Sequence, residues 1–222
     1  MISSAKKFIF IHIPRSGGNS IQSTLIDYCD EEMVKIGEDA HQFTLKHHEF
    51  NPKKHSMIRD YHAAFGDAIV TEFFKFTSVR NPWDRIMSRW FLYHYGPRNR
   101  PKSRGRSIFR RTIEPRWDKE KFIQFIEWHS DRSGPRFWSI MPWITVNGQV
   151  FIDGYIRYES IQADYDAICD RIGLPRRELP HFNRSRRESS YHAYYDGETR
   201  DLVARICKDE IEYFGFEFGG TS

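Results

Sequence analysis

The stretch from Phe8 to Ile21, FIFIHIPRSGGNSI, constrains the fold of this chain more than any other. Its opening apolar run alternates with the period of a strand and breaks at Pro14. A short loop follows, and Ile21, Leu25, Tyr28 and Cys29 then recur at the i, i+4, i+7, i+8 spacing of one helix face. A strand delivered directly into a helix is the first half of a βα unit, which needs a parallel partner strand to be complete.

The partner is legible further on. Residues 73–79, FFKFTSV, read as a strand that stops at Arg80, and Asn81-Pro82-Trp83-Asp84 opens a helix running to about residue 95. Asn81 suits the cap, Pro82 the first helical position and Asp84 the first turn. Helices are also predicted over 55–66, ending on Gly66, over 118–129, over 160–172, stopped by Gly173 and Pro175, and over 197–216; residues 150–158 read as a strand. Strands alternating with helices predict an α/β fold with a central, mainly parallel sheet flanked by helices. Neither a linker nor a repeat interrupts the 222 residues, so one domain over 1–222 is expected.

Composition narrows the function class. Hydrophobic residues at 39% and aromatics at 16% argue for a packed core rather than a disordered chain. The apolar runs are short, so no membrane span or leader is expected, and a cytoplasmic location follows by default, with a position peripheral to a membrane as the alternative. Cys29, Cys169 and Cys207 are odd in number and have no CxxC spacing, which suggests neither a disulfide framework nor zinc. The net charge of +4 is uneven: residues 97–116 hold eight Lys/Arg against Glu114 alone. Such a patch attracts an anionic partner. Its aromatics are not interleaved as a base-stacking platform requires, so nucleic acid is not expected.

Both strand–helix junctions have the chemistry of anion sites. In Pro14-Arg15-Ser16-Gly17-Gly18-Asn19-Ser20 the glycines let backbone N–H groups approach an oxyanion at a helix N-terminus, Ser16, Asn19 and Ser20 add donors, and Arg15 adds a charge. The segment is neither GxxxxGK[ST] nor GxGxxG, so neither a standard nucleotide loop nor a dinucleotide fingerprint is present. At the second junction, Arg80 and Ser88 are placed to reach one phosphate, and two such junctions suit a ligand with two separated phosphate groups.

Taken together, HIPRSGGNSI, FKFTSVRNPWDRIMSRW, IRYESIQADYDAICDRIGLP, LPHFNRSRR and YYDGETRDLVARICKDEIEYFGFEF resemble sulfotransferase family 2, a group related to heparan sulfate and chondroitin sulfotransferases. The resemblance implies a P-loop-like three-layer fold and sulfuryl transfer from 3′-phosphoadenosine 5′-phosphosulfate (PAPS) to an acceptor hydroxyl, without a metal. The acceptor would be a carbohydrate or a small molecule, and the basic segment suits an anionic one. By the same resemblance Arg15, Ser16, Gly17, Gly18, Asn19 and Ser20 form the 5′-phosphosulfate loop, and Arg80 and Ser88 the 3′-phosphate site. Arg184, Ser185 and Arg187 would lie in a segment that closes over the nucleotide. The family usually has Lys where Arg15 stands and Thr where Asn19 stands; Arg15 keeps the charge with a different shape. His55 matches a position where the family commonly carries a histidine and is the first candidate for the general base. His62, seven residues on, is the second, with His12, His48 or a carboxylate as further candidates. A P-loop nucleotide or small-molecule kinase and a non-catalytic nucleotide- or polyanion-binding protein are the alternatives. The kinase should end its loop on Lys-Ser/Thr, and this chain has Asn19-Ser20.

Overall fold

A computed structural model describes residues 1–35, 43–46, 54–95, 117–180 and 190–219. They fall into two compact units, Met1–Arg80 with Ser139–Asn183, and Asn81–Trp138 with Arg184–Gly220.

The first unit holds the sheet. Strands β1 (Ile2–Ser3), β2 (Phe8–Ile11), β5 (Phe74–Val79) and β8 (Gly154–Arg157) lie in the order β1-β2-β5-β8. β2, β5 and β8 run parallel, and β1 pairs antiparallel with β2 at the edge. All four residues of β2 are buried, as expected for a parallel strand covered on both faces, where alternation of exposure disappears. Phe8, Phe10, Phe76 and Ile156 point to one face. There they meet Ile21 and Leu25 of α1 (Gly18–Leu25), and Tyr165, Ile168, Cys169 and Ile172 of α6 (Ile161–Ile172). The oppositely directed Ile9, Ile11 and Thr77 are equally buried. The same unit contains the ribbon β3 (Glu32–Lys35) with β4 (Phe43–Lys46), the helix α2 (Ile58–Glu72) and the short helix α5 (Met141–Ile144). A hairpin pairs β6 (Thr145–Val146) with β7 (Gln149–Val150). The protein is thus an α/β fold with a mixed, mostly parallel sheet flanked by helices, as the strand–helix alternation predicts.

Two local expectations are revised, and one is met. Residues 150–158 are not one strand: Asn147 and Gly148, at φ 50° and 80°, form the two-residue turn of the β6–β7 hairpin, and β8 starts afresh at Gly154. Gly66 does end the first helical segment of α2, as expected: its backbone (φ 76°, ψ 175°) is non-helical, and a second segment follows to Glu72. The C-terminal helix is two helices, α7 (Gly197–Ile206) and α8 (Lys208–Phe214), parted at Cys207.

The second unit is helical. α3 (Pro82–Tyr95) opens as its sequence requires, the Trp83 N–H donating to Asn81 Oδ1. α4 (Lys119–Ser133) is capped by Asp118, and α7 by a capping box between Asp196 and Thr199. Trp90, Phe91, Trp117, Phe122 and Tyr194 form a cluster of edge-to-face and tilted rings, with Trp117 and Tyr194 half-buried. Arg85 of α3 is also inside, 1% exposed, donating to the Glu210 carboxylate and the Trp138 carbonyl. Burial opposes its charge, but Glu210 and Cys207 more than offset this and hold the guanidinium above its ordinary pKa. Among the described residues no helix is long and apolar enough to cross a membrane.

Candidate active site

The carboxyl ends of β2, β5 and β8 converge, and the residues following each strand form a single cluster in the first unit. In open parallel sheets this is where ligands bind.

The loop after β2 is built around backbone geometry. Arg15 (φ 70°) and Gly17 (φ 83°) are both left-handed, an uncommon state for a residue with a Cβ such as arginine. Left-handed residues among helical ones turn successive N–H groups toward one concave point, and the N-terminus of α1 adds its dipole there. Gly17 is the cap of α1 and supplies no side-chain hydrogen bond, so the orphan N–H groups of the first turn are left to a ligand or solvent. Ser16 is fully buried, and its Oγ has no hydrogen-bond partner among the described residues. A buried hydroxyl without a partner costs about 1–3 kcal/mol. An oxyanion in the loop would accept its proton and remove that cost. This orphaned donor and the helix-terminal backbone fit a phosphate or sulfate group.

Packing requires both glycines. A Cβ on Gly17 would lie 2.8 Å from Ile161 Cδ1 and 2.9 Å from Tyr158 Cδ2, and one on Gly18 only 2.2 Å from His12 Cδ2. Ile161 opens α6, while Tyr158 directly follows β8 and His12 directly follows β2.

Arg80, at the end of β5, is 5% exposed. Its Nη1 donates to the Arg15 carbonyl at 3.3 Å, and its guanidinium lies 4.0 Å from the centre of the Tyr158 ring. Tyr158 is placed by its own N–H, which donates to the Val79 carbonyl and extends the β5–β8 ladder by one bond. Arg80 therefore holds the strained residue of the loop from below, while Tyr158 packs against both the cation and Gly17. Tyr158 is partly exposed, so this cation–π contact is worth about 0.5–2 kcal/mol.

His55 does not open a helix: it lies in a turn, and α2 begins three residues later, capped by Asp60, whose carboxylate accepts the Met57 N–H at 2.7 Å. The His55 ring is bound to the loop side of the sheet. Its Nδ1 is 2.9 Å from the main-chain carbonyl of His12, an atom that can only accept. Nδ1 therefore carries a proton, and in the neutral ring Nε2 is the basic nitrogen. The His12 ring meets it edge to face with centroids 4.6 Å apart, and Trp143 of α5 approaches at 6.3 Å. His12 is 4% exposed. Burial, with the nearby charges of His55 and Lys54, pushes its pKa well below 6.5, so it is neutral.

The remaining candidates are placed elsewhere. His62 lies on α2 with Nε2 2.5 Å from Asp67 Oδ1; since His55 is outside the helix, the seven-residue spacing gives the two no common helix face. Ser88 belongs to the second unit, on α3, and is 1% exposed. Arg184, Ser185, Arg187, His48 and the basic segment 97–116 lie outside the described residues. Asn19 is half-buried in the first turn of α1, and Ser20 is buried. No group of three or more His, Cys, Asp or Glu side chains could hold a metal among the described residues.

Sequence reasoning did not single out Gln22, Tyr158 or Ile161, and it placed His12 only among several bases. Gln22, four residues after Gly18, shares its helix face, a signal that was present; Tyr158 and Ile161 touch the loop only through the sheet.

The family model described as Sulfotransferase family matches residues 1–217. No curated protein and no solved structure matches the chain.

Proposed function

Because the chain belongs to the sulfotransferase family, we propose that it moves a sulfuryl group from PAPS to a hydroxyl of a carbohydrate or small-molecule acceptor. The observation that carries this reading is the orphaned Ser16 hydroxyl in a left-handed loop at the N-terminus of α1, following the same strand end whose His12 carbonyl holds the proton of His55 on Nδ1. When bound, PAPS supplies the transferable sulfuryl group on a phosphate leaving group. The backbone of Gly17 to Asn19 and the Ser16 hydroxyl bind its oxyanion. Arg15 contributes a charge where the family has Lys, and Arg80 keeps the Arg15 backbone in place. His55 takes the proton of the acceptor hydroxyl on Nε2, while the His12 carbonyl stabilises the imidazolium that forms by accepting from Nδ1. Catalysis of in-line transfer rests on such positioning and electrostatics.

The same proposal assigns Arg80 with Ser88 to the 3′-phosphate, and Arg184, Ser185 and Arg187 to the closing segment. The eight Lys/Arg of segment 97–116 favour an anionic acceptor such as an acidic sugar polymer. Three free cysteines suit a reducing, cytoplasmic setting.

Titration calorimetry with 3′-phosphoadenosine 5′-phosphate (PAP) beside ATP tests the cofactor assignment. PAP should bind about 100-fold tighter, roughly the effect of one extra charge-assisted phosphate site; equal affinities would refute it. With PAPS and a panel of desulfated glycosaminoglycan oligosaccharides, His55→Ala should lose about 10²- to 10⁴-fold in sulfated product. PAP affinity should be unchanged in the variant. Product formation at the parent rate by His55→Ala would remove the base from this scheme.

A further inference from the structure

His12 lies between the two halves of the site and belongs to neither. Its Nδ1 is 2.8 Å from Gln22 Oε1, so the carboxamide oxygen accepts and the ring proton is on Nδ1. Gln22 is 1% exposed, and its Nε2 has no partner among the described residues. A buried amide kept for a single bond marks the bond as the reason for the residue. On its other edge the His12 ring occupies the space where a Cβ of Gly18 would be, with Cδ2 and Nε2 2.2 and 2.5 Å from that position. The first residue of α1 thus rests directly on the ring. The main chain of the same residue holds His55 through its carbonyl, and the ring packs edge-on against the His55 ring.

We propose that His12 is the positioning residue of the site: its ring, oriented by Gln22, seats Gly18 and hence the oxyanion loop, and its carbonyl fixes the proton of His55 on Nδ1. The inference rests on the sulfotransferase reading above and adds to it a residue that binds neither substrate. Remaining neutral is part of the role, because an imidazolium here would repel a proton arriving on His55. One residue then sets the distance between the oxyanion-binding backbone and the base, which must both face one acceptor hydroxyl within a few tenths of an ångström.

Long-range proton–nitrogen correlation spectra of the unliganded, full-length protein, with histidines assigned by single substitutions, read the claim without any acceptor. His12 and His55 should both be protonated on Nδ1 at neutral pH; a proton on Nε2 of either would overturn the proposal. The second arm uses Gln22→Leu, which removes the acceptor at similar volume. His12 should lose its single tautomer, the His55 signals should shift, and PAP affinity should fall about tenfold, the effect of about 1.4 kcal/mol. A Gln22→Leu protein that keeps its His55 signals and its PAP affinity would refute the positioning role. If the parent protein does not bind PAP, the sulfotransferase reading fails, while the tautomers still decide the role of His12.

Discussion

Substituting Gly18 by alanine sets two physical expectations against each other. In a helix interior the change gains at most about 1 kcal/mol from backbone propensity. At Gly18, however, the new Cβ would lie 2.2 Å from His12 Cδ2, 2.5 Å from Nε2 and 3.0 Å from Cγ, too close for any carbon contact. The ring has little room to yield, because Gln22 holds Nδ1 at 2.8 Å and the His55 ring lies 4.6 Å away. Overpacking a closed site costs about 1–3 kcal/mol, so Gly18→Ala should be destabilising by about 1–2 kcal/mol in spite of propensity. For a chain of this size that corresponds to a fall in Tm of roughly 2–8 °C. Thermal and urea unfolding measure it, and calorimetry with PAP should show weaker binding. The double variant His12→Ala with Gly18→Ala identifies the cause: without the ring, the added methyl should cost nothing, giving a coupling energy of about 1–2 kcal/mol. A Gly18→Ala protein as stable as the parent, or costs that simply add in the double variant, would refute the reasoning.

Two further outcomes follow from buried charges. Glu210→Gln removes the partner of Arg85, which is 1% exposed, and should cost about 3–5 kcal/mol in urea unfolding at neutral pH; a loss under about 1 kcal/mol would show that the Trp138 carbonyl suffices. Stability should also fall in acid. Burial and then the charge of Arg89 depress His129 to about 4, so it is neutral in the fold and takes up a proton on unfolding below about 6.5. Its contribution is complete above about 6.5 and shrinks as pH falls toward 4, by roughly 3 kcal/mol over that window. His129→Phe, which keeps a ring stacked on Phe137, should flatten the slope of stability against pH between 4 and 6.5; an unchanged slope would assign the acid sensitivity elsewhere.

How far the sequence carries can be judged at particular residues. The apolar alternation of residues 8–13 and 73–79, with a breaker at the end of each run, was enough to require parallel strands feeding helices. The Asn81 cap, Pro82 in the first turn and the left-handed stop at Gly173 are local features, readable because caps and turns depend on a few neighbouring residues. The two glycines after Arg15 announced an anion loop for the same reason. The hairpin turn at Asn147-Gly148 was also local, but a single glycine fits several backbone outcomes, and only the surrounding packing selects one.

The assembly of the site is a different kind of information. The bond from His55 to the His12 carbonyl spans 43 residues, and that from Arg80 to the Arg15 carbonyl spans 65. Such pairs carry no periodic signature, since their approach depends on the register of β2, β5 and β8. Composition and motif determined that this chain would present glycines, a cation and hydroxyls at the end of a strand. Tertiary structure decided that Arg80 supports the loop, that Gly18 must lack a side chain because an imidazole fills the space, and that His55 carries its proton on Nδ1. The physical reason is range: propensity and capping act within about one helical turn, whereas steric exclusion and hydrogen-bond direction act between any groups that folding brings together.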